Sequence, residues 1–128
     1  MKAFAKQVNE TQEQLDTLVN NAGLAGFYHS TSKDGCEVIF QVNYLRHFLL
    51  GLLEMEKLKK SAPSRIDSVS SKASEYNRDL QISIDDFKVP NQKLKFDSLY
   101  RYSESKLAQV VFTKELGRRL EGQRLISA

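Results

Sequence analysis

The chain has 128 residues, of which 19 are Lys or Arg and 16 are Asp or Glu, with 41% hydrophobic and 27% charged residues, the composition of one modest globular domain. Six glycines and two prolines exclude collagen-like and low-complexity chains, and the interleaving of acidic with basic residues argues against a nucleic-acid partner. The longest apolar run, Phe48–Leu53, is far shorter than the roughly 18 residues of a membrane span. The single cysteine, Cys36, cannot form an internal disulfide, so we expect a reducing compartment.

The first third of the chain is predicted to contain a helix, a strand and a loop. Apolar residues at helical spacing predict a short helix within residues 1–14. The run Leu15–Val19 is short and apolar, and the turn residues Asn20–Gly23 follow it, which favours a strand. A loop is predicted from Gly26 to Gly35, and the side chains in it that could cap the next helix are Thr31, Ser32 and Asp34.

The rest of the chain alternates two long helices with one strand and one polar segment. Apolar residues recur every three or four positions over 37–60 and 98–121, which predicts two amphipathic helices. Between them, Arg65–Ser70 is predicted as a strand. Residues 72–97 are polar, with room for one short element near Ile82–Phe87, and loops of this length are often functional.

The predicted order is therefore helix, strand, helix, strand, helix. Strands joined by a helical crossover form a parallel sheet with right-handed connections, so we assign the chain to the α/β class. Ligands of such sheets bind beyond the carboxyl ends of the strands. Both strands end in small or polar residues, at Asn20–Gly23 and at Ser70-Ser71, and we expect these two clusters to lie close together.

Three sequence features at this edge of the sheet could bind a ligand or transfer a proton. Small residues at Asn20–Gly23 would let a ligand approach the backbone, and the hydroxyl of Ser70 or Ser71 could donate to a substrate oxygen. On a helix, Tyr102 and Lys106 lie one turn apart on the same face. The ammonium would favour the phenolate, which makes Tyr102 a usable proton donor or acceptor near neutral pH.

Asn43 is a fourth candidate, because it is a polar residue within an apolar helix. Each of the four features also has an ordinary structural explanation when taken alone: a strand-ending turn, a satisfied hydroxyl, a chance pair of residues, or an exposed helix side chain. His29, His47 and Cys36 lack the spacing of metal ligands, and no metal site is predicted.

The order and spacing of the four features resemble the motifs of the short-chain dehydrogenase/reductase family. The sequence around them most resembles the retinol-dehydrogenase-like branch of that family. The run Leu15–Gly23 resembles the family's NNAG strand, and Phe40–Leu45 resembles the helix with its Asn. Ser61–Ser71 resembles the strand with its Ser, and Tyr102–Leu116 resembles the YxxxK helix. The resemblance implies part of a Rossmann-type, doubly wound parallel sheet that binds NAD(P).

The resemblance also implies roles for individual residues. Tyr102 would exchange a proton with the substrate oxygen, and Lys106 would lower the pKa of Tyr102 and hold the nicotinamide ribose. Ser71 would hydrogen-bond the carbonyl or alcohol oxygen, and Asn43 would hold a water that links Lys106 to solvent. The residues that would border the cofactor are Asn20, Ala22, Gly23, Tyr102 and Lys106. The implied cofactor is NADP or NAD, with NADP favoured by analogy, and the implied substrate is a small lipophilic alcohol or aldehyde such as a retinoid.

Three departures from the family pattern accompany the resemblance. No G-x-G-x-x-G can be built from the glycines. We therefore expect one incomplete domain over 1–128 that begins two strands into the fold, lacks the turn that cradles the pyrophosphate, and stops before the next strand. Arg46 stands where the family usually has Gly. Asp67 stands where relatives are apolar, which is costly unless the carboxylate is exposed or paired.

Two functions follow from this sequence. The first is a segment of an NAD(P)-dependent oxidoreductase that is inactive by itself. The alternative is a non-catalytic truncated fragment that acts as an interaction module. The family resemblance implies that helices 37–60 and 98–121 could form a homo-oligomer. The expected location is the cytoplasm, or a membrane reached through an N-terminal segment that this chain lacks.

Overall fold

The computed structural model describes residues 1–26, 30–76 and 97–127. Within them, three strands form a parallel sheet in the order β1 (Thr17–Asn20), β2 (Ser64–Ser68) and β3 (Leu125–Ser127). The first two strands match those predicted to within two residues at each end, and their parallel pairing is confirmed. Their last residues, Asn20 and Ser68, lie opposite one another, so the two carboxyl ends are side by side.

Helices account for much of the described chain. Their bounds are α1 Lys2–Thr11, α2 Val38–Phe40, a π-helical segment Gln41–Leu45, α3 Arg46–Lys60, a 3-10 helix Lys72–Glu75 and α4 Ser98–Arg119. The predicted helices over 37–60 and 98–121 are confirmed to within two residues at their ends. The π-helical segment was not predicted, because the apolar spacing continues through it unchanged. The element considered near Ile82–Phe87 lies outside the described residues, as does His29.

The third strand corrects the expected order, which ended at the second long helix. After α4 the chain turns through Gly122, whose φ of +80° lies in the left-handed region that glycine favours. It then runs alongside β2, where the Ser64 N–H donates to the Arg124 carbonyl at 3.1 Å. A three-residue strand is too short to show alternation in the sequence, and its partner on β2 is distant along the chain.

The helix that carries Asn43 is capped by Glu37, in place of the three caps predicted from the sequence (Thr31, Ser32 and Asp34). The Glu37 carboxylate accepts the N–H groups of Ile39 at 2.9 Å and Phe40 at 2.8 Å. These donors have no partner within the first turn of a helix, and the negative charge suits the positive end of the helix dipole. Ser32 is used in the preceding turn, where its hydroxyl accepts the Asp34 N–H at 3.3 Å.

The described residues divide into two compact units. One consists of Met1–Asn21, Arg46–Val69 and Val111–Ala128. Its sheet buries one face under helices, and the buried apolar side chains packed there are Leu58, Ile66, Leu116, Leu120 and Leu125. The opposite face of the sheet is exposed, which follows from the alternation of side chains along a strand.

Asp67 is accommodated on this exposed face of β2. Its carboxylate oxygen Oδ2 lies 3.0 Å from Nε of Arg65, two residues earlier on the same face of the strand. A partly exposed and paired carboxylate avoids the cost of an isolated buried charge. Arg46, the other unexpected residue, is exposed in the first turn of α3 and is therefore solvated.

The second unit consists of Ala22–Leu45 and Ser70–Val110. It holds six of the seven predicted site residues, whereas Asn20 belongs to the first unit. Across both units, no described helix combines the length and the apolar character that crossing a lipid bilayer requires.

Candidate functional site

The phenol and the ammonium predicted to act together are neighbours on α4. Lys106 Nζ lies 5.8 Å from the centroid of the Tyr102 ring, as the spacing of four residues on a helix requires. Lys106 is only 4% exposed and Tyr102 is half-buried. An ammonium within about 6 Å of the centroid of an aromatic ring is attracted to the face of that ring.

The turn of α4 that carries this pair is anchored by polar contacts of its own. Asp97 caps the helix, its Oδ1 accepting the N–H groups of Leu99 at 2.9 Å and Tyr100 at 3.1 Å. Arg101 and Glu104 form a largely buried ion pair with an Nη1–Oε2 distance of 2.8 Å. The cap and the ion pair together hold the first two turns of the helix in one conformation.

The two serines after β2 have different roles. Ser70 donates its hydroxyl to the carbonyl oxygen of Lys106 at 3.0 Å, so it holds the backbone of α4. Ser71 begins the 3-10 helix, and its Oγ accepts the Ala73 N–H at 3.2 Å. Because Ser71 Oγ acts there as an acceptor, its proton remains available for donation to a bound oxygen. Of the two hydroxyls, Ser71 is therefore the better candidate for a substrate contact.

Asn43 lies in the π-helical segment and is completely buried. Its Oδ1 accepts the Leu24 N–H at 2.8 Å, and its Nδ2 donates both to the Leu24 carbonyl at 3.0 Å and to Ser105 Oγ at 3.0 Å. Both hydrogens of its amide are thus bound to protein groups. Single π-helical turns often occur at functional positions, because they re-aim one side chain of an otherwise regular helix.

Tyr44, next to Asn43, is another tyrosine of the second unit. Its ring packs against Phe40 with the centroids 5.2 Å apart. Burial raises the pKa of the Tyr44 phenol above its ordinary value of 10.0, so this side chain keeps its proton at neutral pH. Tyr44 is therefore a packing residue, and Tyr102 is the candidate for proton transfer.

Three of the five residues predicted to border a cofactor lie at the end of β1 or directly after it. Ala22 and Gly23, in the second unit, are exposed and small, so a ligand can approach their backbone closely. This access fits a polar nucleotide end such as a nicotinamide ribose. Asn20, the last residue of β1, is 2% exposed, and neither its Nδ2 nor its Oδ1 has a hydrogen-bond partner among the described residues. A buried amide without partners is costly. No G-x-G-x-x-G can be built from the glycines to hold a pyrophosphate.

Sequence reasoning missed two participants, namely Ser105 and the Leu24 backbone, and it left open whether Ser70 or Ser71 faces a ligand. Ser105 lies within the Tyr102–Lys106 motif, so its position was visible. Its partner Asn43 lies 62 residues away in the chain, and the partner of Ser70, Lys106, lies 36 residues away. No periodicity in the sequence signals such pairs.

Comparison with known proteins agrees with this architecture. A model of the short-chain dehydrogenase family matches residues 1–83. Human retinol dehydrogenase 13 is 46% identical to this chain and human retinol dehydrogenase 14 is 43% identical, each over 122 residues. Both comparisons cover 95% of this chain but only 35% and 34% of the relatives. The chain thus spans about a third of the length of the curated relatives it matches.

Two solved structures have the same fold over nearly the whole chain. An uncharacterized protein from Mycobacterium paratuberculosis is 30% identical with a TM-score of 0.78, covering 98% of this chain and 44% of that one. RhlG of Pseudomonas aeruginosa, solved as an active-site complex with NADP, is 25% identical with a TM-score of 0.68, covering 97% and 44%. Because the family model matches more than half of the chain and the fold agrees with these structures, this chain belongs to the short-chain dehydrogenase family.

Proposed function

We propose that this chain is the catalytic segment of an NADP(H)-dependent oxidoreductase that interconverts a lipophilic alcohol, such as a retinoid, and its aldehyde. The observation that carries the proposal is the buried Lys106 ammonium beside the Tyr102 ring on α4. The names of the retinol dehydrogenase relatives support the substrate class. The NADP complex of a structural neighbour supports NADP over NAD.

In the proposed reaction, the bound nicotinamide nucleotide supplies or accepts the hydride. Tyr102 gives its phenolic proton to the carbonyl oxygen in the reducing direction and takes it back in the oxidising direction. Lys106 holds its positive charge beside the Tyr102 ring, where it stabilises the negative charge that develops as the proton leaves. Ser71 donates its hydroxyl proton to the same oxygen and orients it. Asn43 holds the chain after β1 through its bonds to Leu24.

We further propose that the chain is an incomplete cofactor domain and does not turn over substrate alone. Asn20, Ala22, Gly23, Tyr102 and Lys106 would hold the nicotinamide ribose end of the cofactor. No G-x-G-x-x-G is present to hold the pyrophosphate, and that turn contributes much of dinucleotide binding in this kind of fold.

The cofactor assignment is tested with two separate probes, one for the nicotinamide half of the cofactor and one for its adenine half. Reduced nicotinamide mononucleotide and 2′,5′-ADP are each titrated into the 15N-labelled chain and followed by NMR. We expect the mononucleotide to shift the amide resonances of Ala22, Gly23 and Lys106, and the adenine half to leave them in place. Shifts that occur elsewhere, or equal shifts with both probes, would contradict the assignment.

The catalytic assignment is tested by substitution in a preparation that reduces retinal with NADPH. Removing the phenolic proton by Tyr102→Phe should lower kcat by about 10²–10⁴-fold, the usual contribution of a general acid. Tyr100→Phe, two residues earlier on the same helix and partly exposed, is the matched control and should leave kcat unchanged. Near-normal turnover in Tyr102→Phe would refute the role.

Lys106 is tested through the rate of the same reaction. Replacing it with Met removes the positive charge beside the Tyr102 ring, so kcat should fall. Lys114→Met removes an exposed lysine from the same helix and should leave kcat unchanged. A normal kcat in Lys106→Met would refute the role of its charge.

A second candidate function, a homo-oligomeric or interaction module, is favoured by exposed apolar side chains on α3 and α4 in the first unit. Leu52 on α3 is 50% exposed and Val111 on α4 is 55% exposed. The same two helices are joined by an edge-to-face contact of Phe48 with Phe112, whose ring centroids are 5.0 Å apart. Exposed apolar groups are typical of protein interfaces.

Analytical ultracentrifugation tests this surface. Leu52→Glu combined with Val111→Glu should convert a dimer into a monomer. Phe4→Glu, which charges an equally exposed apolar residue on α1, serves as the control and should leave the dimer intact. A wild-type chain that sediments as a monomer at all concentrations would exclude the homo-oligomer.

A further inference from the structure

We infer that Ser105 is a positioning residue that connects the Asn43 amide to the helical turn bearing Tyr102 and Lys106. The inference rests on the proposed function, since it concerns how the proposed proton donor is aligned. Ser105 is completely buried within the second unit. Its position between Tyr102 and Lys106 places it on the same two turns of α4 as both side chains.

The Ser105 hydroxyl makes two directional bonds at once. It donates to the Tyr102 carbonyl at 2.7 Å and accepts Nδ2 of Asn43 at 3.0 Å. A serine that donates to the carbonyl three residues earlier in its own helix is common. The second bond is different, because it reaches a residue 62 positions away and leaves the Asn43 amide with no free hydrogen.

Asn43 transmits this contact to the segment after β1. Its amide binds both the N–H and the carbonyl of Leu24, so the side chain is held at three points. The resulting path runs from the Leu24 backbone through Asn43 and Ser105 to the Tyr102 carbonyl. Buried networks in which every polar group is hydrogen-bonded behave as rigid units. Removing a hydrogen bond at one end of this path should therefore weaken the hydrogen bonds at the other end.

The sequence offers a matched control two residues away. Ser103 is equally buried and donates to the Tyr100 carbonyl at 2.9 Å, the same bond within the helix. Asn43 bonds to Ser105 and not to Ser103 among the described contacts. Ser105→Ala and Ser103→Ala therefore each remove a bond of this kind within the helix, and only Ser105→Ala removes the bond to Asn43.

Hydrogen exchange at the Leu24 amide measures the network without requiring turnover. Ser105→Ala should raise the exchange rate of the Leu24 N–H by about tenfold, the effect of weakening one hydrogen bond, although Ser105 does not touch Leu24. The same variant should shift the 13Cζ resonance of Tyr102 in the tyrosine-labelled chain. Ser103→Ala should do neither. In Asn43→Ala, adding Ser105→Ala should change nothing further at the Leu24 amide, because Ser105 acts on Leu24 through Asn43.

The outcomes separate this inference from the proposed function. Unchanged Leu24 exchange in a folded Ser105→Ala chain, or an equal rise in Ser103→Ala, overturns the role of Ser105 whether or not the chain binds a cofactor. If Ser105→Ala does not fold, Ser105→Cys replaces it, since a thiol has nearly the same shape and is a weak donor. Failure of nicotinamide mononucleotide to bind while Leu24 responds as expected overturns the proposed function alone.

In a preparation that reduces retinal with NADPH, Ser105→Ala should lower kcat and leave the KM for NADPH unchanged. An equal loss in Ser103→Ala would count against positioning.

Discussion

Asn43 and Asn20 provide a direct test of what the hydrogen bonds of the site contribute to stability. Both are asparagines with almost no exposed surface, at 0% and 2%. The Asn43 side chain makes three hydrogen bonds, two to Leu24 and one to Ser105. That of Asn20 makes none among the described residues. Replacing either with Ala removes the same atoms, so the packing losses are similar in kind.

The difference between the two substitutions is therefore set by hydrogen bonding. At about 1 kcal/mol of net stabilisation for each bond, Asn43→Ala should cost about 3 kcal/mol more than Asn20→Ala. Asn20→Ala itself should be close to neutral, because it removes a buried unpaired amide while leaving a small cavity.

Urea unfolding followed by circular dichroism measures both variants against the wild-type chain. With a slope of about 2 kcal/mol per molar urea, the midpoint of Asn43→Ala should lie about 1.5 M below that of Asn20→Ala. Asn43→Asp keeps the acceptor for the Leu24 N–H but replaces the donating amide with a buried charge, and it should be at least as destabilised as Asn43→Ala. Equal midpoints for the two alanine variants would refute the reasoning, since burial alone would then account for both.

Three further predictions concern the first unit. Leu58→Ala empties a completely buried position of the core and should lower the free energy of unfolding by about 2–5 kcal/mol; a loss below about 1 kcal/mol in urea unfolding would contradict this. Hydrogen bonds from Arg118, and then from Arg119, lower the pKa of Glu115 to about 2. The stabilisation from these contacts is therefore present above the usual glutamate pKa and lost as the pH falls through about 2, and a 13C titration of Glu115 with a midpoint near 4.5 would exclude it. Burial raises the pKa of Glu54 above its usual 4.5. The folded state then binds this proton more tightly, so stability is greatest below that value and falls as the pH rises through the raised pKa. Glu54→Gln should raise the melting temperature at pH 8 but not at pH 4.

The parallel arrangement of β1 and β2 could be predicted because each strand is a short apolar run followed by turn residues, with a periodic helix between them. The register of α4 could be predicted for the same reason, and it brings Tyr102 and Lys106 together on one face. These are local properties, since the period of a helix and the ends of a strand are written in consecutive residues.

Other features depend on partners that are distant along the chain. The cap on the Asn43 helix was predicted among small polar side chains, yet Glu37 reaches the two N–H groups with both oxygens. β3 was missed because three residues carry no usable pattern, and its position is decided by the open side of β2. The π-helical turn at Asn43 was missed because its apolar spacing is that of an ordinary helix.

The sequence by itself determined the class of fold, the order of its first two strands and its longer helices, and the residue types of the candidate site. These follow from short-range periodicity and from motifs with fixed spacing. Only the tertiary structure decided how those residues are held. It gave Asn43 its bonds to Leu24 and Ser105, assigned Ser70 to the Lys106 carbonyl while Ser71 keeps its proton, and paired Asp67 with Arg65 on the exposed face of the sheet. Most of these contacts join residues brought together by packing, and the Asp67 pair depends on which face of the sheet packing leaves exposed.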